Sequence, residues 1–243
     1  MTTFSVNVNK VALLRNSRGG TEPDVVEAAK VAIANGADGI TVHPREDQRH
    51  IRLDDVVALS EITEIANGDI EFNIEGDLRP ELLRLTRSLK PTQFTVVAVM
   101  PGEVTSTRGW RAYDDHDELK RWTEALDGVC RVAVFADADR KSVGYAADGG
   151  ADAVEFYTGT YAEQFHSPNK AAELGKLSDA AGYARENGMR VHAGHDLNTE
   201  NLPDLFAACA IDEVSIGHAI ASEALFEGFG PTIAKFRSVI PSQ

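Results

Sequence analysis

The sequence predicts a (β/α)8 barrel, and three observations predict it. Short apolar segments alternate strictly with amphipathic helical ones, eight of each, from one end of the chain to the other. The length, 243 residues, is that of one such barrel. The first strand runs into Lys10-Val11-Ala12-Leu13-Leu14-Arg15, not into the GxGxxG turn that commonly opens a doubly wound open sheet. On this reading residues 1–243 form a single barrel domain, with no linker and no low-complexity segment.

The predicted strands are Ser5–Asn9, Gly39–His43, Ile70–Glu75, Phe94–Met100, Arg131–Ala136, Ala153–Tyr157, Arg190–Ala193 and Glu213–Ile216. Val, Ile, Phe and Ala dominate them, as in parallel strands buried on both faces. The predicted helices are Asp24–Asn35, Asp54–Ala66, Pro80–Lys90, His116–Leu126, Arg140–Ala147, Lys170–Glu186, Thr199–Ala208 and Ser222–Ser238. The helix from Lys170 carries Ala171, Leu174, Leu177 and Ala181 at helical spacing. Asn35-Gly36-Ala37-Asp38-Gly39-Ile40 and Gly149-Gly150-Ala151-Asp152-Ala153-Val154 each close a helix and open a strand, with glycine as the left-handed cap.

Composition narrows the function. Apolar residues make up 43% of the chain, enough for a large core, yet no apolar run approaches the ~18 residues of a membrane span. Met1 to Asn9 lacks the basic and apolar regions of a signal peptide, which predicts a cytoplasmic protein. The two cysteines, Cys130 and Cys209, stand outside any metal-ligand spacing and read as buried apolar thiols. The net charge of −14 argues against nucleic acid and anionic membrane as partners. Phosphorylated substrates would therefore need a local cluster of cations inside an acidic shell.

Active sites of α/β barrels lie at the C-terminal ends of the strands. Asn7, Asn9 and Lys10 fall there after the first strand, and Glu75 after the third. Of the seven histidines, His43, His50, His192, His195 and His218 fall at or just beyond strand ends. The segment His43-Pro44-Arg45-Glu46-Asp47-Gln48-Arg49-His50 suits an oxyanion, because guanidinium forks bind phosphate bidentately. Arg15 and Arg18, in the loop after the first strand, add cations. Gly194 makes a turn after the seventh strand. Gly217-His218 after the eighth gives a phosphate access to backbone N–H groups and a helix N-terminus. Glu75 ends an apolar strand, where partial desolvation raises a carboxyl toward the range of a general base. No zinc-type or EF-hand pattern occurs, so no metal is expected.

These residues resemble the pyridoxine 5′-phosphate synthase family of vitamin B6 biosynthesis nearly end to end. The likeness is carried by Asn7-Val8-Asn9-Lys10, Leu14-Arg15-Asn16-Ser17-Arg18-Gly19, Gly36 to His43, Arg45-Glu46-Asp47, Arg49-His50-Ile51, Asn73-Ile74-Glu75, Glu103-Val104-Thr105, Ala193-Gly194-His195 and Ile216-Gly217-His218-Ala219. The resemblance implies a (β/α)8 barrel with extra helices, packed as a dimer-based homo-oligomer, usually an octamer. It implies condensation of 1-deoxy-D-xylulose 5-phosphate with 3-amino-1-hydroxyacetone 1-phosphate, without an organic cofactor. The products are pyridoxine 5′-phosphate, phosphate and water. By motif, His43 and Glu75 match the proton acceptors and His195 the proton donor. Asn7, Arg18, Arg45, His50, Thr105, Gly194, Gly217 and His218 match substrate- or product-binding positions. The loop Pro101 to Tyr113 is the expected closing loop, with Gly102 and Gly109 as hinges.

The chain departs from the family pattern at Asn9-Lys10, at Gly76-Asp77 and at Asp196. Asn9, Lys10 and Asp196 are expected to contact substrate, with Lys10 and Asp196 forming an ion pair across the barrel mouth. Two other readings stay open. One is a different phosphate-binding barrel enzyme, such as an aldolase forming an imine on Lys10. The other is a non-catalytic binder of pyridoxine phosphate.

Overall fold

The computed structural model describes residues 2–98, 108–110 and 116–241. In chain order its elements are β1 (Thr3–Asn7), α1 (Asn9–Asn16), α2 (Val25–Ala34), β2 (Gly39–Val42), α3 (Leu53–Ser60), α4 (Thr63–Ala66), β3 (Glu71–Gly76), α5 (Pro80–Leu89), β4 (Gln93–Val96) and α6 (His116–Leu126). The second half holds β5 (Arg131–Ala136), α7 (Arg140–Asp148), β6 (Ala153–Tyr157), α8 (Gly159–Gln164), α9 (Lys170–Glu186), β7 (Arg190–Gly194), α10 (Leu202–Ala208), β8 (Glu213–Ile216), α11 (His218–Glu227) and α12 (Phe229–Val239). The eight strands are parallel and close into one barrel, β1 meeting β8 at Ser5↔Ser215 and Val6↔Ile216.

Strand residues alternate between two buried environments. Phe4, Val6, Ile40, Val42, Phe72, Ile74, Phe94 and Val96 join the apolar core shared with the helices. The other parity is polar and fills the barrel. Ser5 Oγ lies 2.7 Å from Thr41 Oγ1, Thr95 Oγ1 donates to Asn73 Oδ1 at 3.0 Å, and Gln93 Nε2 donates to Thr95 Oγ1 at 3.1 Å. Arg131 extends this lattice, donating to Gln93 Oε1 at 2.7 Å and to Glu71 Oε2 at 2.8 Å. His192 belongs to it too. It is 1% exposed, pairs in register with Glu155 and Glu213, and sits 3.5 Å from the Glu213 carboxylate. The expectation that His192 stands at the mouth is thereby corrected. β7 continues two residues past it, and the pleat turns it into the barrel.

The two Gly-Ala-Asp turns, and Ala210-Ile211-Asp212 before β8, have a common task. Asp38, Asp152 and Asp212 each precede a strand and accept a backbone N–H from the strand before it, from Phe4 at 3.0 Å, Val132 at 2.8 Å and Val191 at 2.8 Å. Each aspartate therefore locks strand register at the N-terminal rim. Two expected helices are split. Gly228, at φ 88°, separates α11 from α12, because only glycine takes that conformation freely. An extended Ile62 separates α3 from α4. Cys130 and Cys209 are free thiols, the first half-buried and the second buried. Among the described residues no helix is long and apolar enough to cross a membrane.

The segment after β1, expected as a loop, is helix α1. This changes the reading of Arg15. Its guanidinium is buried and grips Asp55 of α3 through two bonds, 2.5 and 2.8 Å, so it joins two helices and does not serve as a phosphate cation. Arg15→Ala leaves Asp55 without its partner. Because Asp55 is partly exposed, the expected loss is roughly 2–3 kcal/mol, toward the low end for a broken buried pair. Urea denaturation of the variant measures it, and a loss under about 0.5 kcal/mol would show the pair to be a surface contact.

Candidate active site

The C-terminal end of the barrel encloses a cavity of about 500 Å³. Its floor is made by the ends of β1, β2 and β3. Asn7, the last residue of β1, works in two directions. Its Oδ1 accepts the N–H of Asn9 at 3.0 Å and so anchors the start of α1. Its Nδ2 donates to Glu75 Oε2 at 3.4 Å. Asn9 in turn accepts the N–H of His43 at 2.8 Å and fixes the chain leaving β2. One line of side chains thus sets the relative positions of α1, His43 and Glu75.

His43 and Glu75 face one another, with His43 Nδ1 4.0 Å from Glu75 Oε2, too long for a hydrogen bond. Burial, aided by His50, Arg45 and Arg79, pushes the His43 imidazole down to about 3. Burial pushes the Glu75 carboxyl up from 4.5 to about 7, against the bond from Asn7. The result is a neutral imidazole beside a carboxyl that changes protonation near neutrality. His43 Nε2 is buried with no hydrogen-bond partner among the described residues, which fits a group that waits for a ligand atom.

The rim beside them is cationic. Lys10, Arg45, Arg49 and His50 line one side of the cavity. Asp47 orients the arginines, accepting from Arg49 at 2.8 and 2.6 Å and lying 3.6 Å from Arg45. His50 Nδ1 accepts the N–H of Ile51 at 3.0 Å, and burial with the Arg45 charge lowers the ring to about 4. Its Nε2 therefore carries a proton and is a donor. Arg79, next to Asp77, also holds the Pro44 carbonyl and so secures this loop.

The opposite side is built by β7 and β8. Gly217 packs so tightly that a Cβ would lie 3.0 Å from Asn7 Cβ and O, so glycine lets β8 approach β1. α11 begins at His218 with no side-chain cap, leaving first-turn N–H groups available to an anion. Gly194 does not line the cavity; a Cβ there would overlap the Glu155 carboxyl. Its role is to make room for that acid. His195 and Asp196 both line the cavity, at φ 87° and 56°. Non-glycine residues there carry roughly 1–3 kcal/mol of strain each.

The expected Lys10–Asp196 ion pair is absent: no such contact within 4.0 Å occurs, and Asp196 Oδ2 meets its neighbour His195 Nδ1 at 2.8 Å instead. The left-handed backbone turns the carboxylate onto the adjacent ring before it can reach across the mouth. Arg18 is exposed on the turn after α1 and outside the cavity. Thr105 and Gly102 lie outside the described residues. Gly109 is pinned, its N–H donated to Asp137 Oδ1 at 2.7 Å, and a Cβ would overlap the Ala136–Asp137 backbone. That close packing, not hinge motion, accounts for the glycine.

Sequence reasoning missed Glu155. It sits mid-way along β6, is 3% exposed and lines the cavity. Burial, then the charges of Glu75 and Glu213, hold its carboxyl well above the usual carboxylate range. The available signal was a lone acid inside Ala153-Val154-Glu155-Phe156-Tyr157, which has no reason to sit in a buried strand unless it is used. Among the described residues no group of three His, Cys, Asp or Glu side chains is arranged to hold a metal ion.

The family model for "Pyridoxal phosphate biosynthesis protein PdxJ" matches residues 4–242. The chain belongs to this family. It is 46% identical over 248 residues to the pyridoxine 5'-phosphate synthase of Xanthomonas campestris pv. campestris (strain B100), covering 98% of this chain and 96% of the relative. The corresponding synthase of Xylella fastidiosa (strain 9a5c) is 43% identical over 256 residues, covering 99% and 95%. In fold alone, the barrel is similar to 3-keto-L-gulonate-6-phosphate decarboxylase from Vibrio cholerae O1 biovar El Tor str. N16961, with a TM-score of 0.65, 13% identity, and coverage of 98% and 96%. It is also similar to phosphoribosyl anthranilate isomerase from Thermus thermophilus, with a TM-score of 0.59, 14% identity, and coverage of 98% and 100%.

The raised Glu75 carboxyl has a stability consequence. Its folded value, about 7, exceeds its ordinary 4.5, so its contribution is fully present below pH 4.5 and is lost as pH rises through about 7. Glu75→Gln removes that loss. Thermal melts should show the variant gaining on the native protein from pH 4.5 to 7 and holding its advantage above. At roughly 1.4 kcal/mol per unit the advantage is on the order of 3 kcal/mol. A difference independent of pH would show that Glu75 ionises normally.

Proposed function

We propose that this chain is a pyridoxine 5′-phosphate synthase that condenses 1-deoxy-D-xylulose 5-phosphate with 3-amino-1-hydroxyacetone 1-phosphate. The observation that carries the reading is the neutral His43 beside a near-neutral Glu75, inside a mouth with a cationic rim on one side and an uncapped helix on the other. Joining an amine to a ketone, dehydrating the adduct and closing a ring requires repeated proton transfers to oxygen, nitrogen and carbon. His43 is unprotonated above about 3, so its ring nitrogen is available as an acceptor to a substrate atom at neutral pH. Glu75, at about 7, accepts a proton when ionised and returns it easily. His195 is the proton donor. Glu155, whose carboxyl burial holds well above the usual carboxylate range, faces the same cavity and adds a proton-carrying group to it.

Lys10, Arg45, Arg49 and His50 take one phosphate, and the Gly217-His218 turn with the α11 N-terminus takes the other. Asn7 and Asn9 hold the floor on which both substrates meet. Arg18, exposed and outside its own barrel's cavity, fits a contact made across the interface of a dimer-based oligomer. Thr105, in the motif Glu103-Val104-Thr105, adds a substrate-binding hydroxyl. The protein works in the cytoplasm as one barrel unit per chain, without an organic cofactor.

The test is an assay of purified protein with both substrates, following pyridoxine 5′-phosphate by chromatography. Product should form, and His43→Ala and Glu75→Gln should each lower kcat/KM about a hundredfold or more, the range for lost general acid–base catalysis. Because Glu75 must be ionised to act, kcat/KM of the native protein should rise with pH through about 7, and that rise should vanish in Glu75→Gln. No product from folded protein with verified substrates would reject the reading.

A further inference from the structure

The end of β7 holds a second acid–base device, opposite the His43–Glu75 pair. His195 Nδ1 and Asp196 Oδ2 lie 2.8 Å apart. The bond from His195 holds the Asp196 carboxyl below the usual carboxylate range, so Asp196 is an ionised acceptor and Nδ1 carries the shared proton. Nε2 has no partner among the described residues, and the ring lines the cavity. Tyr157 of β6 meets the ring edge-on with centroids 4.9 Å apart. Glu155 of β6 lines the same cavity. Lys10 of α1 and His218 of α11 both stabilise the Asp196 charge without pairing with it.

The surrounding frame exists to hold this pair. His195 and Asp196 are consecutive residues in the left-handed region, at φ 87° and 56°, where glycine is the default. The Thr158 hydroxyl lies between the carbonyls of Gly194 and His195, at 2.7 and 2.5 Å. Asn201 Nδ2 donates to the Asp196 carbonyl at 3.0 Å, and Tyr161 Oη donates to the Asn201 carbonyl at 2.7 Å. The backbone is thus fixed by groups outside the pair, and glycine at 196 would occupy the same frame without strain. Aspartate is among the few non-glycine residues that tolerate this region, and there the backbone brings its carboxylate onto the His195 ring.

We propose that Asp196 is a positioning residue acting through His195: its carboxylate accepts Nδ1–H and fixes the ring so that Nε2 faces the cavity, where the protonated ring donates Nε2–H to a leaving hydroxyl of the substrate. In that step the Nε2–H and C–O bonds break and a new O–H bond gives water, while the electron pair of an adjacent C–H bond closes the double bond and its proton passes to the Glu75 carboxylate; the ring is left neutral with Nδ1–H still bonded to Asp196. Nε2 then regains a proton from solvent. The proposal rests on the synthase reading for its reaction and on the observed pair for its geometry.

Two variants and two readouts test it. Asp196→Gly should raise the Tm by about 2 °C or more through relief of strain. It should lower kcat about tenfold to a hundredfold, the worth of a charge-assisted hydrogen bond, with KM within about twofold. Asp196→Asn keeps an acceptor and loses the charge. It should recover most of the kcat that Asp196→Gly loses. In the protein without substrate the His195 Nδ1–H should give a downfield proton resonance that is retained in Asp196→Asn and lost in Asp196→Gly. An unchanged kcat in Asp196→Gly, a rise confined to KM, no recovery in Asp196→Asn, or the same resonance in Asp196→Gly would overturn the proposal. If the native protein forms no product, the synthase reading falls, and the resonance still decides the pair.

Discussion

Carboxyl groups enclosed in the barrel are the constraint on which the rest of this structure depends. Glu75, Glu155 and Glu213 are all inside, and each is pushed up first by burial. Each ionised acid would also raise the others, so the set titrates as a coupled group. The cations are unevenly placed. Arg131 stands at the lower end, bonded to Glu71 and 3.7 Å from Glu213, which still reaches about 8. His192 beside it is held well below its ordinary value by burial and by Arg131, so it adds no charge. Glu75, at the upper end, has an amide for a partner and no cation, so only the Asn7 bond offsets its desolvation. The hydrogen-bonded lattice of Ser5, Thr41, Asn73, Thr95 and Gln93 makes such an interior tenable, since polar groups can stay buried when their partners are present.

The rim resolves the apparent conflict between a net charge of −14 and phosphate binding. Acidic surface elsewhere is remote and screened by salt, whereas Lys10, Arg45 and Arg49 act within the cavity. Asp47 oxygens steer these arginines rather than neutralise the site. The same cations have a second effect. Arg45 and Arg79 join burial in depressing His43, so the groups that attract anionic substrates also keep the adjacent imidazole unprotonated. Binding and base strength are therefore coupled through one field, and a change in rim charge alters both.

Much of this was legible in the sequence because barrel strands and helices leave strong periodic signals. The strand at Arg131–Ala136, the strand at Ala153–Tyr157 and the helix at Lys170–Glu186 match the structure end for end. Most of the expected mouth residues line one cavity, Arg15, Arg18, His192 and Gly194 excepted, because strand C-termini converge in this fold. What escaped depends on the third dimension. Glu155 and His192 sit inside strands and are paired in register; their depth in the barrel separates them, Glu155 lining the cavity and His192 lying against Glu213. Arg15 and Arg45 look alike in sequence, yet Asp55, forty positions from Arg15, removes the first from the site. The break at Gly228 required its positive φ.

The departures of this chain from its family pattern also read differently once placed. Asn9, Lys10 and Asp196 invite an account in which an acid lost at one position is regained at another. The contacts do not support a single exchange. Asn9 spends its side chain on the His43 backbone, a task that needs an acceptor and no charge. Lys10 contributes through space to His50 and Asp196 and pairs with neither. Asp196 is tied to His195 and to a backbone that prefers glycine. Three local solutions thus coexist, and only the third carries strain. The left-handed backbone at 196 directs its carboxylate onto the imidazole of His195, so of the three changes this is the one whose side chain meets a proposed acid–base group.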